Sequence, residues 1–183
     1  MDKWVFATKN PHKFSEVCQI VGSAICIETL PPDVEEAPEP YSTLYENALS
    51  KAAFYADRLR LPVIAEDSGL FVPALGGRPG VHTARLGGPE RLLELMQGVQ
   101  DRRAYFVSVM VAYRSPDQYL FSTGFWQGSI ALKPAGQAGF GYDPVFVPHG
   151  YSDTVAQLGV AWKLQHSHRT RALHKLLVQL SQK

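Results

Sequence analysis

Sulfur chemistry is scarce in this sequence of 183 residues, which has only two cysteines, Cys18 and Cys26. Without a second pair they make neither a CxxC redox motif nor a zinc set, and buried, reduced thiols are expected. No apolar run approaches the roughly 20 residues that span a bilayer, and residues 1–3 open no secretory signal, so a cytoplasmic protein with no membrane partner is expected. Excess charge is missing too. Lys plus Arg number 18 against 17 Asp plus Glu, a net charge of +1. That balance excludes bulk attraction to nucleic acid, and any recognition of anions must be local. The sequence also lacks an HExxH pattern among its histidines and a GxSxG elbow around Ser68, which sets aside zinc proteases and serine hydrolases.

What is present is ordinary globular composition, 45% hydrophobic and 19% charged, in a length that suits one domain of at most two lobes. Residues 4–8 read as a strand, followed by Asn10 and Pro11 as N-cap and first residue of a helix. Residues 31–40, rich in proline and acid, read as a surface loop. Thr43 and Glu46 match a capping box, with Leu44, Ala48, Ala52, Tyr55, Ala56 and Leu59 at helical spacing behind it. Residues 61–65 and 70–75 read as strands on either side of a turn or bend at 66–69. A short helix over 89–96 precedes two antiparallel strands, 104–113 and 119–130, around a turn at 115–117. The chain closes on a helix with Ser167 as N-cap and Leu173, Leu176, Leu177 and Leu180 on one face. The sheet is expected to be mixed.

Four segments bear candidate chemistry. In the first, a strand delivers Thr8, Asn10 and Lys13 to a helix N-terminus, whose backbone N–H groups suit a phosphate. Lys13 in that first turn opposes the helix dipole unless an anion sits between them; a solvated lysine on a plain turn is the alternative. In the second, Glu39, Glu66 and Asp67 offer carboxylates of the kind that hold Mg²⁺ against phosphates and activate water, or they merely face solvent. Strand geometry would separate adjacent acids to opposite faces, whereas a turn would bring Glu66 and Asp67 toward one cleft. In the third, Phe140 and Tyr142 lie between glycines in the run 139–144, either to stack under a base or to anchor a tight turn in the core. The fourth sets Lys163 with His168 and Arg169 around the start of the last helix, as donors to an anion or as a solvated basic end. Lys51, on the capped helix, either points into a neighbouring cleft or snorkels to solvent.

Taken together, ATKNPHK at 7–13, YENA at 45–48, EDSGL at 66–70, GGRPGV at 76–81, FGYDPVF at 140–146 and SHR at 167–169 closely resemble the inosine triphosphate pyrophosphatases, the HAM1-like family. The resemblance covers about residues 4–177. It implies an α/β fold, with a long twisted mixed β-sheet flanked by helices and residues 1–183 forming one domain of two lobes around a central nucleotide cleft. It implies Mg²⁺-dependent hydrolysis of noncanonical purine nucleoside triphosphates (ITP, dITP, XTP) to the monophosphate and pyrophosphate, by a homodimer. Carried over by residue, Thr8, Asn10 and Lys13 hold the triphosphate, Glu39 and Asp67 the metal, and Asp67 accepts the proton of the attacking water. Ser68, Lys51 and Lys163 contact substrate, Phe140, Gly141, Tyr142 and Asp143 form the base-binding loop, and His168 with Arg169 read the purine's six-position. A keto oxygen there accepts a hydrogen bond where adenine's amino group donates, a difference a matched site turns into roughly 10⁴-fold selection. The sequence departs from the family at Lys9, commonly Gly, at Glu66, commonly Asp, at His82, commonly Tyr, and at Gln157 and Gly159, which replace acids.

Overall fold

The structure, a computed structural model, describes residues 3–182, so Met1, Asp2 and Lys183 lie outside it. Seven strands, β1 (Lys3–Phe6), β2 (Cys26–Thr29), β3 (Val63–Phe71), β4 (Pro79–Gly80), β5 (Arg103–Ser115), β6 (Gln118–Ile130) and β7 (Phe146–Pro148), form one sheet ordered β2-β1-β3-β5-β6-β7, with β4 on β3. β1 runs parallel to β2 and β3, while β4 and β7 pair antiparallel with β3 and β6. The sheet is therefore mixed, as expected. β5 and β6 are joined by two residues, 116 and 117, which only antiparallel neighbours allow. Among the described residues, six α-helices accompany the strands: α1 (Pro11–Val21), α2 (Leu44–Leu59), α3 (Pro89–Leu95), α4 (Val155–Leu158), α5 (Val160–His166) and α6 (His168–Ser181). None of them is long and apolar enough to cross a membrane, over the described residues.

The chain divides into two compact units. Among the described residues, the first comprises those up to 67, 108–124 and those from 169 on, and the second residues 68–107 and 125–168. In the first, Trp4, Phe6, Val17, Ile64, Met110, Leu173 and Leu176 join in a buried core. Helix α1 starts where Asn10 and Pro11 foretell: the Asn10 side chain accepts from the N–H of His12 (2.9 Å) and Lys13 (3.3 Å). Thr43 caps α2, its hydroxyl accepting from the N–H of Glu46 (3.2 Å) while donating to the Glu46 carboxylate (2.6 Å). Glu46 thus pairs with the capping hydroxyl rather than the Thr43 backbone. In the second unit, Leu70, Leu92, Met96, Phe106, Trp126, Tyr142 and Phe146 form a separate core.

Three expectations need correction. Residues 66–69 make no turn: β3 runs unbroken through them, because both acids are buried beside cationic or hydroxyl partners and no backbone reversal is needed to solvate them. The second run expected there ends at Phe71, and Pro73–Leu75 is a 3₁₀ turn closed by Gly76 at φ 67°. Cys26 is exposed and Cys18 only half-buried, though both are free thiols. The short elements β2, β4, β7, α4 and α5 had no periodicity long enough to announce them.

Candidate active site

The site residues fall into two clusters, one in each unit. In the first unit, β1 leads into α1 through Thr8 and Asn10, and Thr8 Oγ1 accepts from the Asn10 N–H at 3.1 Å. The expectation of open backbone donors at this helix start is corrected, since Asn10 itself occupies the N–H groups of His12 and Lys13. What remains to meet an anion is side-chain chemistry: the Thr8 hydroxyl, the Asn10 amide nitrogen and Lys13. The anion that Lys13 needs against the helix dipole is built in. Its Nζ lies 3.3 Å from Glu66 Oε2, while burial pulls the ammonium below the ordinary lysine range despite Glu66.

Glu66 is the hub of a buried network. Its Oε1 accepts from Ser108 Oγ at 2.8 Å and lies 3.1 Å from Arg169 Nε, and Arg169 in turn pairs with Glu16 on α1. Two carboxylates and two cations, Glu16, Glu66, Lys13 and Arg169, cancel in formal charge, which lets the Arg169 side chain sit at 3% exposure. Burial by itself would lower the arginine's proton affinity; Glu66 and Glu16 outweigh it, and the net shift is upward. Arg169 belongs to the first unit, where it is held between two acids.

Asp67, 7% exposed, has different partners. Burial pushes its carboxyl up to about 6; Lys51, Asn47 and Lys13 oppose that rise and Glu39 adds to it. Glu39 reaches this neighbourhood because its loop is tied down at several points. Tyr55 Oη accepts from the Ala37 N–H at 3.1 Å, Lys9 Nζ donates to the Val34 carbonyl at 2.8 Å, and Asn47 exchanges hydrogen bonds with the Tyr41 backbone. Lys9 thus fastens a loop. Lys51 pairs with the Glu39 carboxylate and also donates to the Glu66 carbonyl at 3.1 Å. Among the described residues no group of three or more His, Cys, Asp or Glu is placed to hold a metal. Glu39 and Asp67 are, however, two carboxylates close enough for one to raise the other's proton affinity. That donor set fits Mg²⁺, which typically takes one or two carboxylates and completes its shell with phosphates and water.

The second unit holds Ser68, at the middle of β3 and half-buried, and the run 139–144. Asp143 Oδ2 accepts from the Phe140 N–H at 3.0 Å and from Lys163 Nζ at 2.7 Å, and that ammonium stands 4.1 Å from the Phe140 ring centroid. The acid, the lysine and the aromatic ring thus brace one another, and Gly141, exposed at φ 62°, makes the bend. Tyr142 goes the other way: its ring belongs to the core and its hydroxyl donates to the Thr83 carbonyl at 2.8 Å. Phe140 is therefore the aromatic of this loop placed outside the core. His168, at the start of α6 and 5% exposed, stacks on Phe106 and Trp126.

Sequence reasoning missed Glu16, Asn47, Ser108, Phe106 and Trp126. The motif YENA had contained Asn47, and burial of a polar side chain on the apolar face of α2 is the signal that would have found it. The others sit in ordinary helix and strand patterns that only tertiary contact distinguishes.

The Ham1 family profile matches residues 4–179. A protein of Aromatoleum aromaticum named dITP/XTP pyrophosphatase is 41% identical across 97% of this chain and 96% of its own. One of the same name from Ignicoccus hospitalis is 42% identical across 98% and 97%. Among solved structures, a HAM1 protein from Coxiella burnetii superposes with a TM-score of 0.87 at 33% identity, covering all of both chains.

Proposed function

The chain belongs to the Ham1 family, and from that premise we propose that it hydrolyses noncanonical purine nucleoside triphosphates, ITP, dITP and XTP, to the monophosphate and pyrophosphate. The observation that carries the chemistry is Asp67, a carboxylate 7% exposed with Glu39, Lys51 and Lys13 acting on it, where a base can take a proton from water beside cations that suit phosphate. In this reading water attacks the α-phosphorus, its proton passes to Asp67, the bond from the α-phosphorus to the bridging oxygen breaks, and pyrophosphate leaves with the electron pair. Thr8, Asn10 and Lys13 grip the triphosphate, with Lys13 exchanging Glu66 for phosphate oxygens. Glu39 and Asp67 would hold Mg²⁺, releasing Lys51 from Glu39 toward the substrate; when bound, the ion draws off charge developing on the phosphates.

The nucleoside has its own set of residues in this reading. Ser68 contacts it, Phe140 and the Gly141 backbone lie along the base, and His168 reads the six-position. The Asp143–Lys163 pair holds the loop, and Tyr142 supports it from the core. Arg169 acts through Glu66 and Lys13. A homodimer and a cytoplasmic location are carried over from the family, and the net charge of +1 supports free nucleotides rather than nucleic acid as partner. The test is product analysis with ITP, XTP and ATP, with and without Mg²⁺. Inosine monophosphate with pyrophosphate, formed only with the metal and much faster than AMP from ATP, is expected. Release of the diphosphate with orthophosphate, or no turnover of ITP, overturns the proposal.

A further inference from the structure

We infer that Phe106 and Trp126 are positioning residues for purine discrimination, because together they fix the plane of the His168 imidazole; the inference rests on reading His168 as the contact to the base. The His168 ring lies 4.6 Å from the Phe106 centroid with 13° between planes, and 5.8 Å from Trp126 at 19°. Phe106 and Trp126 are themselves 6.3 Å apart. Three centroids at those separations form a triangle, so the imidazole lies across both rings rather than between them. Phe146 locks the platform from the side, meeting Phe106 at 4.8 Å and 66° and Trp126 at 5.1 Å and 55°. It has room because residue 128 is glycine: a Cβ there would come within 2.6 Å of the Phe146 ring.

The terminal torsion of histidine is intrinsically broad. A ring stacked within 13° of its neighbour's plane cannot turn about Cβ–Cγ without driving its edge into the platform. That matters because neutral imidazole carries one donor and one acceptor nitrogen. Held still, it offers the same N–H to the six-position, which a keto oxygen accepts and an amino group does not. Free to turn, it would offer an acceptor or a carbon instead, and an adenine amino group would no longer be refused.

The experiment measures kcat/KM for ITP and for ATP in wild type, Phe106→Leu, Trp126→Leu and Trp126→Phe. The ITP-to-ATP ratio is expected to fall by about 10-fold or more in each leucine variant, and to stay near wild type in Trp126→Phe, which keeps a ring. A merely structural role would lower both substrates together and leave the ratio unchanged, and that result overturns the inference. Should the leucine variants not fold, the same question is put to the wild-type protein by NMR. His168 C–H resonances, assigned by their loss in His168→Gln, are expected upfield of free-imidazole positions through ring currents, as are those of His166, which stacks on Trp162 at 4.1 Å. Signals at the positions of a free imidazole overturn the inference. Wild-type enzyme that leaves ITP uncleaved overturns the functional reading, and this inference with it. Wild-type selectivity that persists in both leucine variants overturns this inference alone.

Discussion

Replacing Asp143 by Asn should unsettle the protein far more than a single exposed acid would. The carboxylate and the Lys163 ammonium meet at 2.7 Å with side chains 6% and 4% exposed, so the pair is desolvated on both sides. Removing one partner of a buried pair strands the other charge, at a cost of about 3–5 kcal/mol. Weakening of the Phe140 N–H bond to the same carboxylate adds about 1 kcal/mol. For a chain of this length each kcal/mol moves Tm by about 2–4 °C, so Asp143→Asn should melt at least about 8 °C lower, and up to about 24 °C lower. Thermal melts followed by circular dichroism would read this, alongside the double variant Asp143→Leu with Lys163→Met. The double variant leaves no buried charge and should regain most of the loss. If Asp143→Asn melts within about 2 °C of wild type, or the double variant is no better than the single, the pair is not desolvated and the reasoning fails.

Three more outcomes are expected. Asp67→Asn should lower kcat by about 10²-fold or more without unfolding the chain, as circular dichroism would show. Retained turnover would remove Asp67 as the base. The same carboxyl gives a pH dependence: its folded-state pKa of about 6 lies above its ordinary 3.8. The folded chain therefore holds the proton longer than the unfolded one. In metal-free buffer this group's contribution to stability is fully present below about pH 4 and is lost as pH rises through about 6, measured by urea unfolding. The variant Asp67→Asn should erase that component. Arg169→Met should cost about 3–5 kcal/mol in urea unfolding, because the buried network then holds two carboxylates, Glu16 and Glu66, against the single Lys13 cation. A variant of wild-type stability and altered ITP-to-ATP preference would instead place Arg169 on the base.

Where local chemistry decides the backbone, the sequence was legible. Asn10 before Pro11 and Thr43 before Glu46 cap the helices they foretell, because each supplies its own acceptor within three residues. The hairpin around 116–117 and the long apolar strands beside it were equally plain. The segment at 66–69 was misread because acids and glycine look like a turn. Only the arrival of Lys13, Ser108 and Arg169 from three other elements lets a carboxylate lie inside a strand. The same limit hid the partners of Arg169 and of His168. Nothing near Arg169 in sequence announces Glu16, 153 residues away, and nothing within 104–113 says which aromatic will lie beneath an imidazole.

The route of the chain between its two units has an evolutionary consequence. It changes unit after residues 67, 107, 124 and 168, and three of those four crossings fall within the strands β3, β5 and β6. No cut or splice therefore releases either half as a contiguous gene fragment, and exon shuffling or fusion can transmit this architecture only whole. Diversity in such a lineage has to accumulate by point substitution and by loop growth, never by exchanging one half for another.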